Sequence, residues 1–345
     1  MSDHQAQCEA ALIDGQWDLA ESEARAWARH LPAGVEKDPR PHFVLNVVHL
    51  VRGQFADAWQ THSRCLQEAD DIAEVRTWVE GFVGQKQDKA NAHLVMGLFL
   101  AQSGESEQSM KSYKEAARLA PESAYPHYFL AQIHERANHL EMAIKEYREA
   151  VRLAPGYAPA RTNLGVAYQE QGRLEMAIPQ YREVIKLNPE DHVAHANLAC
   201  ALAEQGKMEP AVQSYKTALK LNPKDAEVHF ALGGLYETRG RLDLADRSYR
   251  DALEANPDFG PAHSALGWLA LRKQRFQDAQ EMFSRALKCN EEDPRAYHGI
   301  AELYAIRGKR QSAMENYSKA VKYYRDPEMR NALMNQLFQE GQVPD

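Results

Sequence analysis

The chain repeats itself every 34 residues, and no other feature of it constrains the fold so tightly. A small residue recurs at Gly97, Ala131, Gly165, Ala199, Gly233, Gly267 and Ala301. Twelve positions on lies a second small column: Ser109, Ala143, Ala177, Ala211, Ala245, Ala279 and Ala313. Four further on an aromatic column reads Tyr113, Tyr147, Tyr181, Tyr215, Tyr249, Phe283 and Tyr317. A third small column follows at Ala116, Ala150, Val184, Ala218, Ala252, Ala286 and Ala320. Pro closes five units at Pro121, Pro155, Pro189, Pro223 and Pro257, and the last two close with the displaced Pro294 and Pro327. A period of this length means that one supersecondary unit is stacked repeatedly, each burying its neighbour's apolar face.

Each unit reads as two helices. In the third, Leu164, Ala167 and Tyr168, then Ala177, Ile178, Tyr181 and Ile185, recur at helical spacing. Gly172 breaks the run between them, and Asn188-Pro189 ends the second helix, because a residue before Pro avoids the α region. The small columns let paired helices approach closely, and the Tyr column fills the space beside them, its hydroxyl free to find a polar partner.

These columns resemble the tetratricopeptide repeat, with seven units over about residues 89–325. Ser109 in an Ala column, and Glu291 and Arg325 where Pro is usual, are the departures. The resemblance implies an all-α fold, a right-handed α-solenoid (superhelix) of antiparallel helix pairs whose first helices line a concave groove.

The two ends differ from the array. Residues 1–88 carry 15 Asp+Glu against 8 Lys+Arg, and four of the five Trp: Trp17, Trp27, Trp59 and Trp78. Weak echoes of the repeat (Gly15, Ala20, Pro32; Gly53, Ala58) predict two degenerate helix pairs over 4–31 and 40–69, and a joining helix near 71–84. This acidic region is expected to cap the array, or else to offer a second binding surface or an oligomer contact. Beyond it, Asp326-Pro327 reads as N-cap and first turn of a capping helix in 326–345, with Met329, Leu333 and Leu337 as its stripe.

Chemistry-bearing motifs are sparse. His134 and His139 are five apart and share no helical face, unlike the i,i+4 pair of zinc proteases. His93, His127, His195, His229 and His263 share a column, with Arg161 and Tyr297 in its other two places. They sit a repeat apart, too far for one ion, and read as packing residues. No Walker, GxSxG or CxxC pattern occurs, and Cys8, Cys65, Cys200 and Cys289 are dispersed, which predicts free thiols. The expectation is therefore no enzyme, no cofactor and no metal.

The net charge of −8 argues against nucleic acid, which needs a basic face. The apolar stretches are too short to span a bilayer, and the first residues lack a secretory pattern. A cytoplasmic location without membrane insertion is expected.

Function then falls to the first-helix face turned away from the core. Its residues change from unit to unit: Tyr125, Tyr128, Phe129 and Gln132; Asn163 and Glu170; Asn197 and Glu204; Phe230 and Glu237; Trp268 and Arg272. Exposed apolar side chains mark interaction sites. The set predicts a scaffold or adaptor that binds a protein partner, as extended peptide or helix, in the groove. Phe129, Tyr128, Phe230 and Trp268 are the expected anchors, Asn163 and Asn197 a pair of amides for a ligand backbone. That pair resembles the asparagine ladder of the repeat superhelix of O-linked N-acetylglucosamine transferase, though only two of seven units carry it. Two other readings compete: a regulatory or substrate-recruiting subunit of an enzyme complex such as a glycosyltransferase, and a self-assembling structural protein.

Overall fold

A computed structural model describes residues 3–30, 38–52, 72–84 and 89–342. All regular structure among the described residues is helical. The echoes at Gly53 and Ala58, with Trp59 and Cys65, lie outside them, as do the side chains of Phe82 and Phe338.

Repeats one to seven begin with the first helices Ala90–Gln102, Ala124–Arg136, Ala158–Glu170, His192–Glu204, Ala226–Thr238, Gly260–Arg272 and Pro294–Ile306. Each is followed by a second helix: Ser106–Leu119, Leu140–Leu153, Leu174–Leu187, Met208–Leu221, Leu242–Ala255, Phe276–Cys289 and Arg310–Tyr323. The fold is an α-solenoid of such helix pairs, divided into two compact units, residues 1–187 and 188–345.

The turn between paired helices is the same in every repeat. One residue takes a left-handed backbone: Gly104, Asn138, Gly172, Gly206, Gly240, Gln274 or Gly308, with φ from 57° to 81°. In repeat three Gly172 N–H then donates to Gln169 O (2.8 Å) and Arg173 N–H to Tyr168 O (2.8 Å). These are the two bonds of a Schellman cap, which satisfies carbonyls the helix end would otherwise orphan.

The aromatic column is packed against the glycines of the small column. A Cβ built on Gly97 would lie 2.4 Å from the Tyr113 ring, and one on Gly165 2.6 Å from the Tyr181 ring. Ser109, the departure from Ala, is buried and satisfied, its hydroxyl donating to Gly97 O at 2.7 Å. The histidine column has a role that the sequence hides. Nε2 of His195, His229 and His263 donates to the carbonyl six residues earlier, at Pro189 (3.1 Å), Pro223 (2.9 Å) and Pro257 (2.9 Å). Arg161 does the same to Pro155 O at 2.7 Å. In repeats three to six the column thus clips the preceding loop to the helix that follows, whereas His127 pairs with Glu146 at 2.7 Å.

In residues 1–187 the N-terminal helices are Asp3–Asp14, Trp17–Arg29, Arg40–Arg52 and Ile72–Gly84. The first and last pack on the first helix of repeat one. Their aromatics face inward: Trp78 meets Trp27 (6.0 Å) and Phe43 (6.1 Å) edge-on and donates its indole N–H to Glu9 (2.6 Å). Burial pushes the Cys8 thiol between the first two helices up to about 12, so it stays protonated.

In residues 188–345 the terminal helix Pro327–Gln342 packs on the second helix of repeat seven. Asp326 caps it through Glu328 N–H (2.9 Å). Leu333 is buried, Leu337 half-buried and Met329 exposed, so one side of the expected stripe faces solvent.

Candidate functional site

The two units place the expected site residues very differently. In residues 1–187, Tyr128 is 0% exposed and Phe129 3%. Tyr128 is enclosed by Phe129 (5.1 Å), Tyr157 (5.1 Å) and Tyr147 (5.9 Å), and Phe129 stacks on Tyr113 (5.6 Å). Neither ring is available to a ligand, which corrects the sequence expectation. Both belong to the core because the aromatic column of one repeat and the loop Tyr157 of the next close over them.

The polar residues around Tyr128 are equally occupied. Tyr147 O–H donates to Glu135 (2.8 Å) and accepts from Asn163 Nδ2 (3.2 Å). Tyr128 O–H accepts from Gln132 Nε2 (3.1 Å) and from Asn163 Nδ2 (3.5 Å). Asn163 is therefore a structural amide, and its pairing with Asn197 as a ligand clamp is corrected too. Burial pushes the Glu135 carboxyl above its ordinary range, opposed by the Tyr147 hydroxyl and reinforced by the charge of Glu170. Burial likewise raises the Tyr147 hydroxyl, with Glu135 adding to it. Glu170 itself is exposed.

The reason that Tyr125 and its neighbours are covered lies in the N-terminal helices. Trp17 meets Tyr125 edge-on at 6.2 Å, and Asn91 Nδ2 donates to Ile13 O at 3.1 Å. Helix Arg40–Arg52 crosses the same side. Phe43 meets Phe99 at 5.8 Å, the Asn46 amide oxygen accepts from Gln102, and Val51 O accepts from Tyr157 O–H at 2.9 Å. Sequence columns cannot reveal this cover, because the weak echoes in residues 1–88 do not say which repeats those helices pack on.

In residues 188–345 the corresponding face is more open. Phe230 is half-buried against Tyr249 (5.4 Å) and Phe259 (5.5 Å). Trp268 is half-buried, its indole edge against Phe283 (5.8 Å) and His298 (4.8 Å) and its N–H donated to Arg295 O (3.2 Å). Glu237 accepts from Tyr249 O–H (2.8 Å) and pairs with Arg272 (3.0 Å). Glu204 is exposed and accepts from the Cys200 thiol (3.4 Å). Asn197 is half-buried, with no hydrogen bond from its amide among the described residues.

Sequence reasoning missed two residues on this face, Val193 and Ile306, exposed at 48% and 55%. Ile306 continues the column of Glu204 and Arg272, which could have found it; Val193 lies one turn ahead of Ala196 on the same helical side. A polar knot ends the face. Glu302 accepts from Tyr317 O–H (2.8 Å) and Gln336 Nε2 (2.7 Å), and His298 foremost, with these two, holds its carboxyl below the ordinary range against partial burial.

Among the described residues, no group of three or more His, Cys, Asp or Glu is placed to hold a metal, and no helix is long and apolar enough to cross a membrane.

Comparisons agree with this architecture. Residues 157–345, just over half the chain, match the family profile described as Cilia and flagella-associated protein 70 C-terminal domain. Residues 136–172 match one described as TPR repeat, and 90–123 one described as Tetratricopeptide repeat. No curated protein matches the chain. Among solved structures, a tetratricopeptide repeat protein from Parabacteroides merdae is 17% identical with a TM-score of 0.61, over 72% of this chain and 98% of its own. PilF of Pseudomonas aeruginosa is 22% identical with a TM-score of 0.54, over 64% of this chain and 99% of its own. A chain of the APC/C hetero-tetramer Cut9–Hcn1 is 15% identical with a TM-score of 0.59, over 93% of this chain and 59% of its own. At such identities the likeness speaks to fold alone. With its seven-fold columns, its helix pairs and these profiles, the chain belongs to the tetratricopeptide-repeat family, residues 157–345 matching the cilia and flagella-associated protein 70 C-terminal domain.

Proposed function

We propose that the chain is a non-enzymatic protein-interaction scaffold, and that repeats four to seven bind an extended peptide along their first helices. The observation that carries this reading is the exposure of Val193 and Ile306, large apolar side chains on the same helical side as the half-buried rings of Phe230 and Trp268. Packing within the chain gives them no role, and exposed apolar groups of this kind gain by covering. The Trp268 indole is held by its bond to Arg295 O, so the ring is a fixed platform that loses little entropy on binding. The Asn197 amide is free to meet a peptide backbone. Glu204 and Glu227 are exposed and favour a neutral or basic ligand over an acidic one.

The test is a peptide selected on the full chain from a displayed library and then titrated against variants. Trp268→Leu keeps an apolar contact to Phe283 but removes the platform, and is expected to weaken binding at least about ten-fold, as hot-spot aromatics do. Leu244→Ser, an exposed change on a second helix, is the control and should leave affinity unchanged. Loss at Leu244→Ser with none at Trp268→Leu defeats the reading.

A further inference from the structure

The last turns of the second helices carry balanced charge in repeats one to three and unbalanced charge in repeat seven. In the first three, an acid and a base three residues apart pair on the surface: Glu115 with Arg118 (2.6 Å), Glu149 with Arg152 (2.5 Å) and Glu183 with Lys186 (2.8 Å). The base suits the negative end of the helix dipole, and the acid neutralises it. The same two columns read Arg285 and Lys288 in repeat six, then Lys319 and Lys322 in repeat seven. Arg285 finds Glu281 one turn back at 2.6 Å. Lys288, Lys319 and Lys322 are exposed, and none of them has a carboxylate partner among the described residues. Residues 307–325 as a whole hold six Lys or Arg against one Glu, in a chain whose net charge is −8.

Like charges three apart on a helix repel, yet both lysines are held in place. Tyr297, near the start of the first helix of repeat seven, stacks on Tyr323 at the end of the second, with ring centres 5.9 Å apart and 19° between their planes. The Lys319 ammonium lies over the Tyr297 ring, 5.3 Å from its centre, and that of Lys322 over the Tyr323 ring at 4.9 Å. Tyr297 takes the place of the loop-clipping residues of repeats three to six, so this ring pair is particular to repeat seven. Cation–π attraction fixes each ammonium, which lowers the entropy lost when an anion arrives. Glu291, exposed in the preceding loop, is an acidic neighbour of Tyr297.

We infer that Lys319 and Lys322, with Lys288 in the same column of repeat six, form a docking surface for an acidic segment of a partner protein, one with Asp or Glu at alternate positions. In an extended chain every second side chain shares a face, about 6.6 Å apart. Residues three apart on a helix have Cβ atoms about 5–6 Å apart. Alternate carboxylates therefore meet the two ammoniums together. Nucleic acid fits less well: it gains from bases stacked on open aromatic faces, and each ring here is engaged by the other and by a lysine. The surface lies at the edge where second helices end, shares no residue with the face proposed to take a peptide in repeats four to seven, and selects the opposite charge.

The probe is a labelled peptide of alternating Glu and Ser, titrated into the full chain at physiological ionic strength. Binding is expected, and the same peptide with Gln for Glu should not bind. Lys319→Glu rebuilds with Lys322 the acid–base pair of repeats one to three, so its circular dichroism should match wild type. It should bind the acidic peptide at least about ten-fold more weakly, through charge reversal at the contact. Lys309→Glu changes the net charge equally, about 15 Å away along the second helix of repeat seven. At that distance screening is nearly complete, and affinity should stay within about two-fold of wild type. Should Lys319→Glu fail to fold, Lys319→Gln takes its place, with a several-fold loss expected. Absence of binding to the wild-type chain, or equal losses at Lys319 and Lys309, overturns the proposal. So does an oligouridylate that binds the wild-type chain more tightly than the acidic peptide.

Discussion

Gly234 and Gly299 both sit in first helices, yet a methyl on each meets different surroundings. At Gly234 the nearest group is the Tyr249 hydroxyl at 3.8 Å, an ordinary contact. Gly234→Ala should therefore gain up to about 1 kcal/mol from helix propensity. At Gly299 the methyl would lie 2.1 Å from Phe283, a ring already wedged against Gly267. Gly299→Ala should lose roughly 1–3 kcal/mol through overpacking, despite the same propensity gain. Denaturant melts of the two variants check the pair, and a gain at Gly299 would contradict the packing described. Gln274 is held at φ 57° where five repeats carry Gly. Gln274→Gly should raise stability by up to about 1 kcal/mol, since a Cβ is disfavoured in that conformation.

Glu135 allows a prediction about pH. Its folded-state carboxyl titrates above the ordinary range through burial. The favourable protonated form is fully present below the unfolded value, and its contribution is lost as pH rises through the folded one. Glu135→Gln keeps an oxygen acceptor for Tyr147 without the charge. It should melt above wild type at pH 7, with the difference shrinking as pH falls through the raised folded value and levelling off below the ordinary carboxyl range. A wild type that is the more stable at pH 7 would show that the Tyr147 bond outweighs burial. The columns make the Tyr and Gly partnership legible from sequence alone. They leave His195, His229 and His263 unexplained, because their partner is a backbone carbonyl, which no side-chain pattern encodes.

Among the elements, the terminal helix Pro327–Gln342 continues the first-helix register for an eighth time. Asn335 falls where the other units carry Gly or Ala, so close approach of a second helix is not provided for. Met334 falls in the column of Leu164, Leu198 and Leu232, which are buried, and is 44% exposed. The adjacent Leu333, turned toward repeat seven, is 1% exposed and packs with Tyr317 and Ala320. Leu333→Ala should cost about 2–4 kcal/mol and Met334→Ser under about 0.5 kcal/mol, a contrast that thermal melts resolve. Asp326-Pro327 announced this helix in the sequence through local rules of capping. Helix Arg40–Arg52 gave no such notice of its position, because its place against Phe99, Gln102 and Tyr157 depends on contacts with residues 56 and 106 positions away.

For the whole molecule, the invariant columns dictate the stack, and the variable first-helix residues divide into those the chain covers itself and those it leaves open. The sequence distinguishes core from variable face; it cannot distinguish Tyr128 from Trp268, since both are aromatic at variable positions and only the cover over one differs. The open residues of repeats four to seven are the proposed binding surface. Hydrogen-exchange footprinting of the full chain with its selected peptide tests that most directly. Protection should rise in Ala226–Thr238 and Gly260–Arg272 and stay unchanged in Leu242–Ala255. Protection confined to Leu242–Ala255 and the other second helices would contradict it.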